Sequence, residues 1–575
     1  VYMNYGNYGM GTAANYYYNK SLSQLDLAQT ALIAGMPNAP VAYDPYLYPA
    51  KAKYRRDIVL KAMLNNNKIT KSQYTKAVNE SITKGLVKHK SSSESKLRKI
   101  DDPYIKEVIS EVKKKGFDPY NDNLKITVNI NQKAQNKLYE LANNGSIPFT
   151  NNAMQIGATV VDPTNGHVIA ILGGRHLPSV QLGLDRAVQT GRSTGSSIKP
   201  VLDYAPAIEY LNWSTAKILE DTKYVYPGTN IQLYDWDNKY MGAMTMRYAL
   251  EQSRNVPAVK TLAKVGVKRA SVFAKRMGIN VPASSGLSVA IGANASSLQM
   301  AGAYSAFATE GIYHKPQFVS KIETPDGLTR NYDSSGVRVM KRSTAYMITD
   351  MLKGVIKKGS GTSAKISGLY QAGKTGTVKY SETELAKYPS YSSTPKDSWF
   401  VGYTKSYVMG VWTGYDNLKD GTISGAGQQS AQLIYKSMMK YLMQNKANTD
   451  WVKPSSVIRA KIVKNSNPPE VASAGQSGEW QLFVKGHAPA GLTDNSSSYD
   501  EEDEESNTNE QSSSNAQDSQ SQQSSSSENG STTQSSSAER SSQNNSSSAS
   551  SSSSSQSSRK KEENTDNNNN NRDNR

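Results

Sequence analysis

The stretch RSTGSSIKP, at residues 192–200, places a glycine, serines and a lysine at the entrance to a predicted helix. Gly195 permits a tight turn before that helix, and Pro200 fits its first turn. Because residues three apart share one face of a helix, we expect the Ser196 hydroxyl and the Lys199 amine to lie on the same side. The stretch therefore predicts a serine nucleophile next to a lysine.

The chemistry of this pair requires a base. A serine hydroxyl is a poor nucleophile at neutral pH and must be activated by a neighbouring group. No histidine lies near Ser196 in the sequence, so Lys199 is the candidate. A free lysine has a pKa of about 10.4, and burial or a second cation would have to lower it. Which group accepts the first proton stays open on the sequence alone.

The serine-to-lysine spacing does not identify Ser196 by itself. A lysine also stands three residues after Ser81, Ser93, Ser214 and Ser393. What distinguishes Ser196 is the glycine before it and the apolar helical stretch after it.

A second polar motif, Ser253-Arg-Asn255, lies between two predicted helices at about 244–252 and 257–265. A polar triplet at the end of a helix is, by itself, well explained as a cap. The triplet becomes informative about function because of its place in the order of motifs, 57 residues after Ser196.

The third motif, Lys374-Thr-Gly-Thr377, contains the only Lys-Thr-Gly of the chain. Predicted strands follow it at 398–404 and 407–413, so we expect the motif to occupy a strand of the same sheet. On its own, the motif is equally well explained as a strand edge with a close glycine contact. Lys374 is the candidate for the second cation near Lys199.

Two further strands are predicted at 155–161 and 167–172. They are joined by Asp-Pro-Thr-Asn-Gly, a sequence with strong turn chemistry, which indicates an antiparallel hairpin at a sheet edge. Another strand is predicted at 124–130, where apolar and polar residues alternate.

The first 65 residues are predicted to be helical. Ser23 is the expected N-cap of one helix, and Asp26, three residues on, is expected to face the same unpaired amides. Leu22 with Leu27 is the expected hydrophobic staple. Gly35 ends this helix, and a second one follows at about 50–65.

Charge is distributed unevenly along the chain. The net charge is +18, but residues 493–575 contain 15 acidic and 6 basic residues, a net charge of −9, which leaves about +27 for the rest. Such a charge attracts polyanions, for example anionic lipids or wall polymers, but by itself it is best explained as an ordinary soluble basic surface. The basic residues are dispersed and no nucleic-acid-reading motif is present, so we expect no nucleic-acid partner. The Ser/Asn/Gln-rich tail is predicted to be disordered.

Metal binding and membrane spanning are not predicted. The chain has no cysteine, and its histidines lack ligand spacing: His89, His167, His176, His314 and His487. We expect no metal and no cofactor. No stretch reaches the roughly 20 apolar residues of a membrane helix, and no signal peptide opens the chain. Because the sequence starts at Val1 within a motif-dense region, we interpret it as an N-terminally truncated fragment.

Two parts of the sequence resemble a known family. Residues 2–4, 9–20 and 31–37 (YMN, GMGTAANYYYNK and ALIAGMP) resemble the last motifs of the peptidoglycan glycosyltransferase domain of class A penicillin-binding proteins. Residues 155–445, with the three motifs in order, resemble the transpeptidase domain of the same proteins, of the 1A type from Gram-positive bacteria.

The resemblance implies an α/β (α+β) fold, a penicillin-binding, β-lactamase-like transpeptidase domain with a central antiparallel sheet flanked by helices. A helical C-terminal remnant of a lysozyme-like glycosyltransferase domain precedes it. The expected organisation is remnant, interdomain linker, transpeptidase domain, small C-terminal segment and disordered tail, at residues 1–65, 66–150, 151–445, 446–492 and 493–575.

The resemblance also implies a set of roles. Ser196 would be the nucleophile of a D,D-transpeptidase, with Lys199 and Ser253 as further catalytic residues and Ser253 as a proton relay from Lys199. The substrate-binding residues would be Asn255, Lys374, Thr375, Gly376 and Thr377. The backbone amides of Ser196 and Thr377 would form the oxyanion hole.

The same resemblance implies partners and a location. Stem peptides ending in D-Ala-D-Ala and β-lactam antibiotics would bind this domain. Lipid II would bind only the parent protein's missing glycosyltransferase part, whose catalytic glutamates and membrane anchor are expected upstream of Val1. The protein would act at the outer face of the membrane, in the cell wall.

Two alternatives remain on the sequence. A D,D-carboxypeptidase or a β-lactamase would share all three motifs and differ in letting water release the acyl group. A non-catalytic scaffold could bind wall components through its basic surface, although it would have no reason to keep every hydroxyl and amine of the motifs.

Overall fold

The computed structural model describes residues 1–5, 7, 9–88, 93–177, 182–490 and 492. The tail predicted to be disordered, residues 493–575, lies outside the described residues.

The helices form an N-terminal group that precedes the first strand and a larger group among the later strands. They are α1 (Met10–Tyr18), α2 (Leu27–Gly35), α3 (Pro49–Asn65), α4 (Lys71–Asn79), α5 (Ser93–Lys114), α6 (Gln132–Asn143), α7 (Ala205–Leu211), α8 (Met246–Glu251), α9 (Asn255–Val265), α10 (Val267–Arg276), α11 (Ser297–Ala308), α12 (Arg342–Lys357), α13 (Glu382–Lys387) and α14 (Ser430–Leu442).

The strands are short outside one central sheet. They are β1 (Lys125–Val128), β2 (Gln155–Val161), β3 (Val168–Leu172), β4 (Ile218–Asp221), β5 (Tyr224–Val225), β6 (Gln232–Leu233), β7 (Gly242–Thr245), β8 (Ile312–Tyr313), β9 (Val319–Glu323), β10 (Thr329–Asn331), β11 (Val337–Arg338), β12 (Ala372–Val378), β13 (Asp397–Tyr403), β14 (Val408–Gly414), β15 (Val457–Ile462) and β16 (Glu479–Val484).

The central sheet has five antiparallel strands in the order β12-β13-β14-β2-β3. β2, β13 and β14 are buried along their whole length. Helix α11 packs on one face, while α6 and α14 pack on the other. Strands covered on both faces do not need a polar side, which explains their nearly continuous apolar sequences. This architecture confirms the expected class, a central antiparallel sheet flanked by helices.

Both edges of this sheet follow the sequence predictions. β2 and β3 form the expected hairpin, with β3 at one edge. β12, which carries the Lys-Thr-Gly motif, is the other edge and pairs with β13. An edge strand presents backbone donors and acceptors that no further strand of the sheet uses.

The N-terminal helices confirm one prediction and correct another. α3 begins one residue before the expected 50–65 helix. α2, however, is capped by Asp26, which accepts a hydrogen bond from the Gln29 amide, and the expected cap at Ser23 is wrong. The expected staple is wrong as well, because Leu22 is about half exposed on a separate short turn. Ser23 and Asp26 are both suitable N-cap residues, and the helix is capped by Asp26, which lies nearer to its apolar residues.

Residues 66–150, interpreted above as a linker, contain α4, α5, β1 and α6. β1 pairs with β9, and it lies within the predicted 124–130 strand. The Gln135 side chain of α6 donates to the Ile171 carbonyl of β3 and accepts from the Ile171 amide. The interpretation as a linker is therefore incomplete, because α6 packs on the sheet. The Lys-rich composition of the segment had concealed the apolar face of this helix.

The segment after α14 contains the antiparallel pair β15 and β16. It is attached to the body of the protein by Thr215, whose hydroxyl bonds the Gln481 side chain at 2.6 Å. Within the ranges that the structure describes, none of the helices is long and apolar enough to cross a membrane.

Candidate active site

The turn that carries Ser196 lies against the Lys-Thr-Gly strand. Gly195 has a φ of 53°, and a Cβ there would lie 2.6 Å from the Thr377 carbonyl oxygen. Glycine is therefore needed both for the backbone conformation and for the close approach to β12. Ser196 is half-buried, and the indole of Trp399 donates to the Ser193 carbonyl at 2.9 Å, which ties the turn to β13.

Lys199 joins the first motif to the second. Its side chain is fully buried, and Nζ donates to the backbone carbonyls of Ser253 (2.7 Å) and Arg254 (2.8 Å) and to Oδ1 of Asn255 (2.9 Å). Burial lowers the pKa of Lys199 to about 7, although the carboxylate of Asp203 acts in the opposite direction. A buried lysine of this kind can exchange a proton near neutral pH.

Ser253 joins the second motif to the third. Its backbone is held at a φ of 57°, a strained conformation for serine, and its hydroxyl accepts a hydrogen bond from Lys374 Nζ at 2.8 Å. Lys374 is fully buried, and burial together with the nearby charge of Lys199 holds its pKa well below the usual value. A hydrogen bond from Lys199 to the Ser253 hydroxyl was expected. In the structure, Lys199 instead donates to the Ser253 backbone carbonyl.

The remaining candidate residues lie along β12 and at the start of α9. Thr375 is partly exposed and Thr377 is exposed, while Gly376 packs against the Ser197 side chain and Trp399. Asn255 is partly exposed, and its side-chain amide also donates to the Tyr234 carbonyl. All eight residues singled out in the sequence thus surround one site at the edge of the sheet.

The chain matches two known families of domains. The penicillin binding protein transpeptidase domain matches residues 156–440, and the transglycosylase family matches residues 1–64. Penicillin-binding protein 1A of Streptococcus oralis is 45% identical over 465 residues, which cover 78% of this chain and 72% of that protein. The chain belongs to the penicillin-binding proteins of the 1A type.

A second relative of this class A family, penicillin-binding protein 1A of Streptococcus pneumoniae, is also 45% identical, over 80% of this chain. The chain spans 65% of the length of that relative. Among solved structures, penicillin-binding protein 1A of Haemophilus influenzae has a TM-score of 0.57 at 19% identity, covering 85% of this chain and 90% of the other. PonA1 of Mycobacterium tuberculosis has a TM-score of 0.54 at 22% identity, covering 68% and 99%. These two likenesses support the fold.

The sequence did not reveal the buried network of charged side chains around Arg254, in the second motif of this penicillin-binding protein. Arg254 is 1% exposed, and its guanidinium bonds Asp221 at 2.8 Å, Asp237 at 2.9 Å and the Lys239 carbonyl. Asp235 lies 3.4 Å away and, like Asp221, is completely buried. This network fixes the backbone of the loop whose carbonyls hold Lys199.

A second residue that the sequence did not reveal is Asp203, four positions after Lys199. It is fully buried on a π-helical turn, Pro200–Tyr204, and neither of its carboxylate oxygens has a hydrogen-bond partner among the described residues. Burial holds its pKa well above the usual value. An acidic residue in an otherwise apolar stretch was the available signal. π-turns of this kind are frequent at functional sites.

Proposed function

We propose that this penicillin-binding protein is a serine-type D,D-transpeptidase that joins peptidoglycan stem peptides through an acyl-enzyme on Ser196. The observation that carries the proposal is the convergence of two buried lysines with lowered pKa values, Lys199 and Lys374, on Ser253 beside the Ser196 turn. Buried amines of this kind are suited to move protons during acyl transfer.

In the acylation step, Ser196 Oγ forms a bond to the carbonyl carbon of the penultimate D-Ala. The hydroxyl proton passes to the set formed by Lys199 and Ser253, the C–N bond breaks, and a proton from that set goes to the departing D-Ala amine. An amine of a second stem peptide then attacks the ester, forms the new amide, and returns the proton that Ser196 regains.

The proposed substrate contacts are those that the resemblance to the family implies. The backbone amides of Ser196 and Thr377 are assigned to the oxyanion, where losing one donor typically costs about 100- to 1000-fold in rate. Asn255 is assigned to the peptide carbonyl, and the hydroxyls of Thr375 and Thr377, in the field of Lys374, to the terminal carboxylate. A β-lactam places an amide and a carboxylate at similar distances and is expected to acylate Ser196.

Stem peptides and β-lactams are thus the proposed partners, and the outer face of the membrane is the proposed site of action. Glycosyl transfer and lipid II binding are assigned to the whole protein, because this sequence matches the transglycosylase family at residues 1–64 alone.

Mass spectrometry of the protein after exposure to benzylpenicillin tests the class of reaction. We expect a single penicilloyl adduct that persists for many minutes, because the proposal provides an amine, not water, as the acceptor. An adduct that disappears within seconds would instead identify a β-lactamase. Release of D-Ala from a stem peptide without any cross-linked product would identify a carboxypeptidase.

A further inference from the structure

A short loop after α12 contacts the proposed substrate site. The hydroxyl of Ser360 lies 2.8 Å from the hydroxyl of Thr375, the threonine of the Lys-Thr-Gly motif. Ser360 is exposed and Thr375 is partly exposed, so both hydroxyls are accessible from the same side. None of the three sequence motifs contains Ser360.

The position of this loop is fixed by α8, the helix that leads into the second motif. The Ser360 amide donates to the Glu251 carbonyl at 3.1 Å, and Lys358 Nζ lies 3.3 Å from Glu251 Oε2. A Cβ on Gly359 would overlap the same carbonyl oxygen. The loop is therefore attached two residues before Ser253, and its serine has little freedom to move away from the site.

Ser360 also ends a series of polar contacts that begins in the interior. Lys374 Nζ donates to Ser253 Oγ at 2.8 Å and lies 3.4 Å from Thr375 Oγ1, which in turn contacts Ser360. The series thus runs from the buried amine of Lys374 to two accessible hydroxyls. A carboxylate accepts about four hydrogen bonds and is stabilised by a nearby cation. The exposed end of the series has two hydroxyl donors for such an anion, and an anion bound there would favour the charged form of Lys374.

We infer that Ser360 is a second hydroxyl donor to the substrate carboxylate, next to Thr375. The inference rests on the proposed function, which places the carboxylate of the stem peptide or the β-lactam at this end of β12. In this arrangement the hydrogen bond between Thr375 and Ser360 is exchanged for one hydrogen bond from each hydroxyl to the carboxylate, while the amine of Lys374 lies behind Thr375.

The test compares two ligands on three variants. We expect Ser360→Ala to lower the second-order rate constant of acylation by benzylpenicillin about tenfold, because one hydrogen bond to a charged group is lost. Ser360→Thr retains the hydroxyl and should stay within about twofold of the wild type. The control Thr362→Ala removes another exposed hydroxyl of the same loop and should have no effect. With benzylpenicillin methyl ester, which lacks the anion, Ser360→Ala should react as fast as the wild type.

Each other outcome is decisive. Unchanged acylation of Ser360→Ala by benzylpenicillin would overturn the inference, and so would an equal loss with the ester, because the serine would then only support the loop. Both results would leave the proposed function intact. A wild-type protein that benzylpenicillin does not acylate would overturn the proposed function, and this inference with it.

Discussion

Replacing Lys199 with methionine is expected to slow the acylation of Ser196 by benzylpenicillin about 10³- to 10⁴-fold, the upper part of the range for general acid–base groups. The methionine fills a similar volume but can neither accept nor donate a proton in place of Nζ. It also leaves the carbonyls of Ser253 and Arg254 without the donor that they share. The second-order rate constant, measured by competition with a fluorescent penicillin, is the readout.

The pH dependence of the wild type provides the matching observation. Because burial lowers the pKa of Lys199 to about 7, the neutral, proton-accepting form becomes populated as the pH rises through that value. The acylation rate should therefore rise between about pH 6 and pH 8 and then level off. Lys199→Arg retains the charge without a neutral form and should be as slow as the methionine variant at every pH. A methionine variant within tenfold of the wild type would contradict this role.

Replacing Arg254 with alanine is expected to destabilise the protein by about 3–5 kcal/mol, the cost of leaving buried charges without their partner. Asp221 and Asp235 are completely buried, and both lie within 3.5 Å of the guanidinium. Since the network also fixes the loop that holds Lys199, penicillin acylation should fall together with stability. The midpoint of urea denaturation and the acylation rate are the two measurements.

The control for this variant is Arg269→Ala, which removes an exposed arginine of α10 and should change the free energy of unfolding by less than about 0.5 kcal/mol. Arg254→Lys retains the charge but lacks the fork that bonds two carboxylates at once, so an intermediate loss is expected. If Arg254→Ala unfolds at the same urea concentration as the wild type, the network does not stabilise the second motif.

The sequence predicted the central sheet and the three motifs because these depend on local chemistry. Each of these signals involves only a few neighbouring residues. They are the glycine before Ser196, the turn of Asp, Pro, Asn and Gly after β2, and the alternating or continuous apolar residues of the strands. Their consequences, such as the pairing of β12 with β13, follow once the strands exist.

The contacts within the site could not be predicted in the same way. Arg254 pairs with carboxylates 33 and 17 residues earlier in the chain, and Ser360 contacts a threonine 15 residues later. No sequence pattern connects such positions, because several short elements lie between them, such as β7 and α8 between Asp237 and Arg254, and tertiary packing sets the path of the chain. The same reason explains why the Ser253 hydroxyl has Lys374, and not Lys199, as its partner.

Labelling with fluorescent penicillin, followed by peptide mapping, tests the central claim most directly, that Ser196 is the acylated nucleophile. We expect the wild type to be labelled on the peptide that contains Ser196, and Ser196→Ala to remain unlabelled. Ser197→Ala is the matched control, since it removes the adjacent buried hydroxyl, which bonds the Thr194 carbonyl, and should still be labelled. Equal labelling of the wild type and Ser196→Ala would contradict the account.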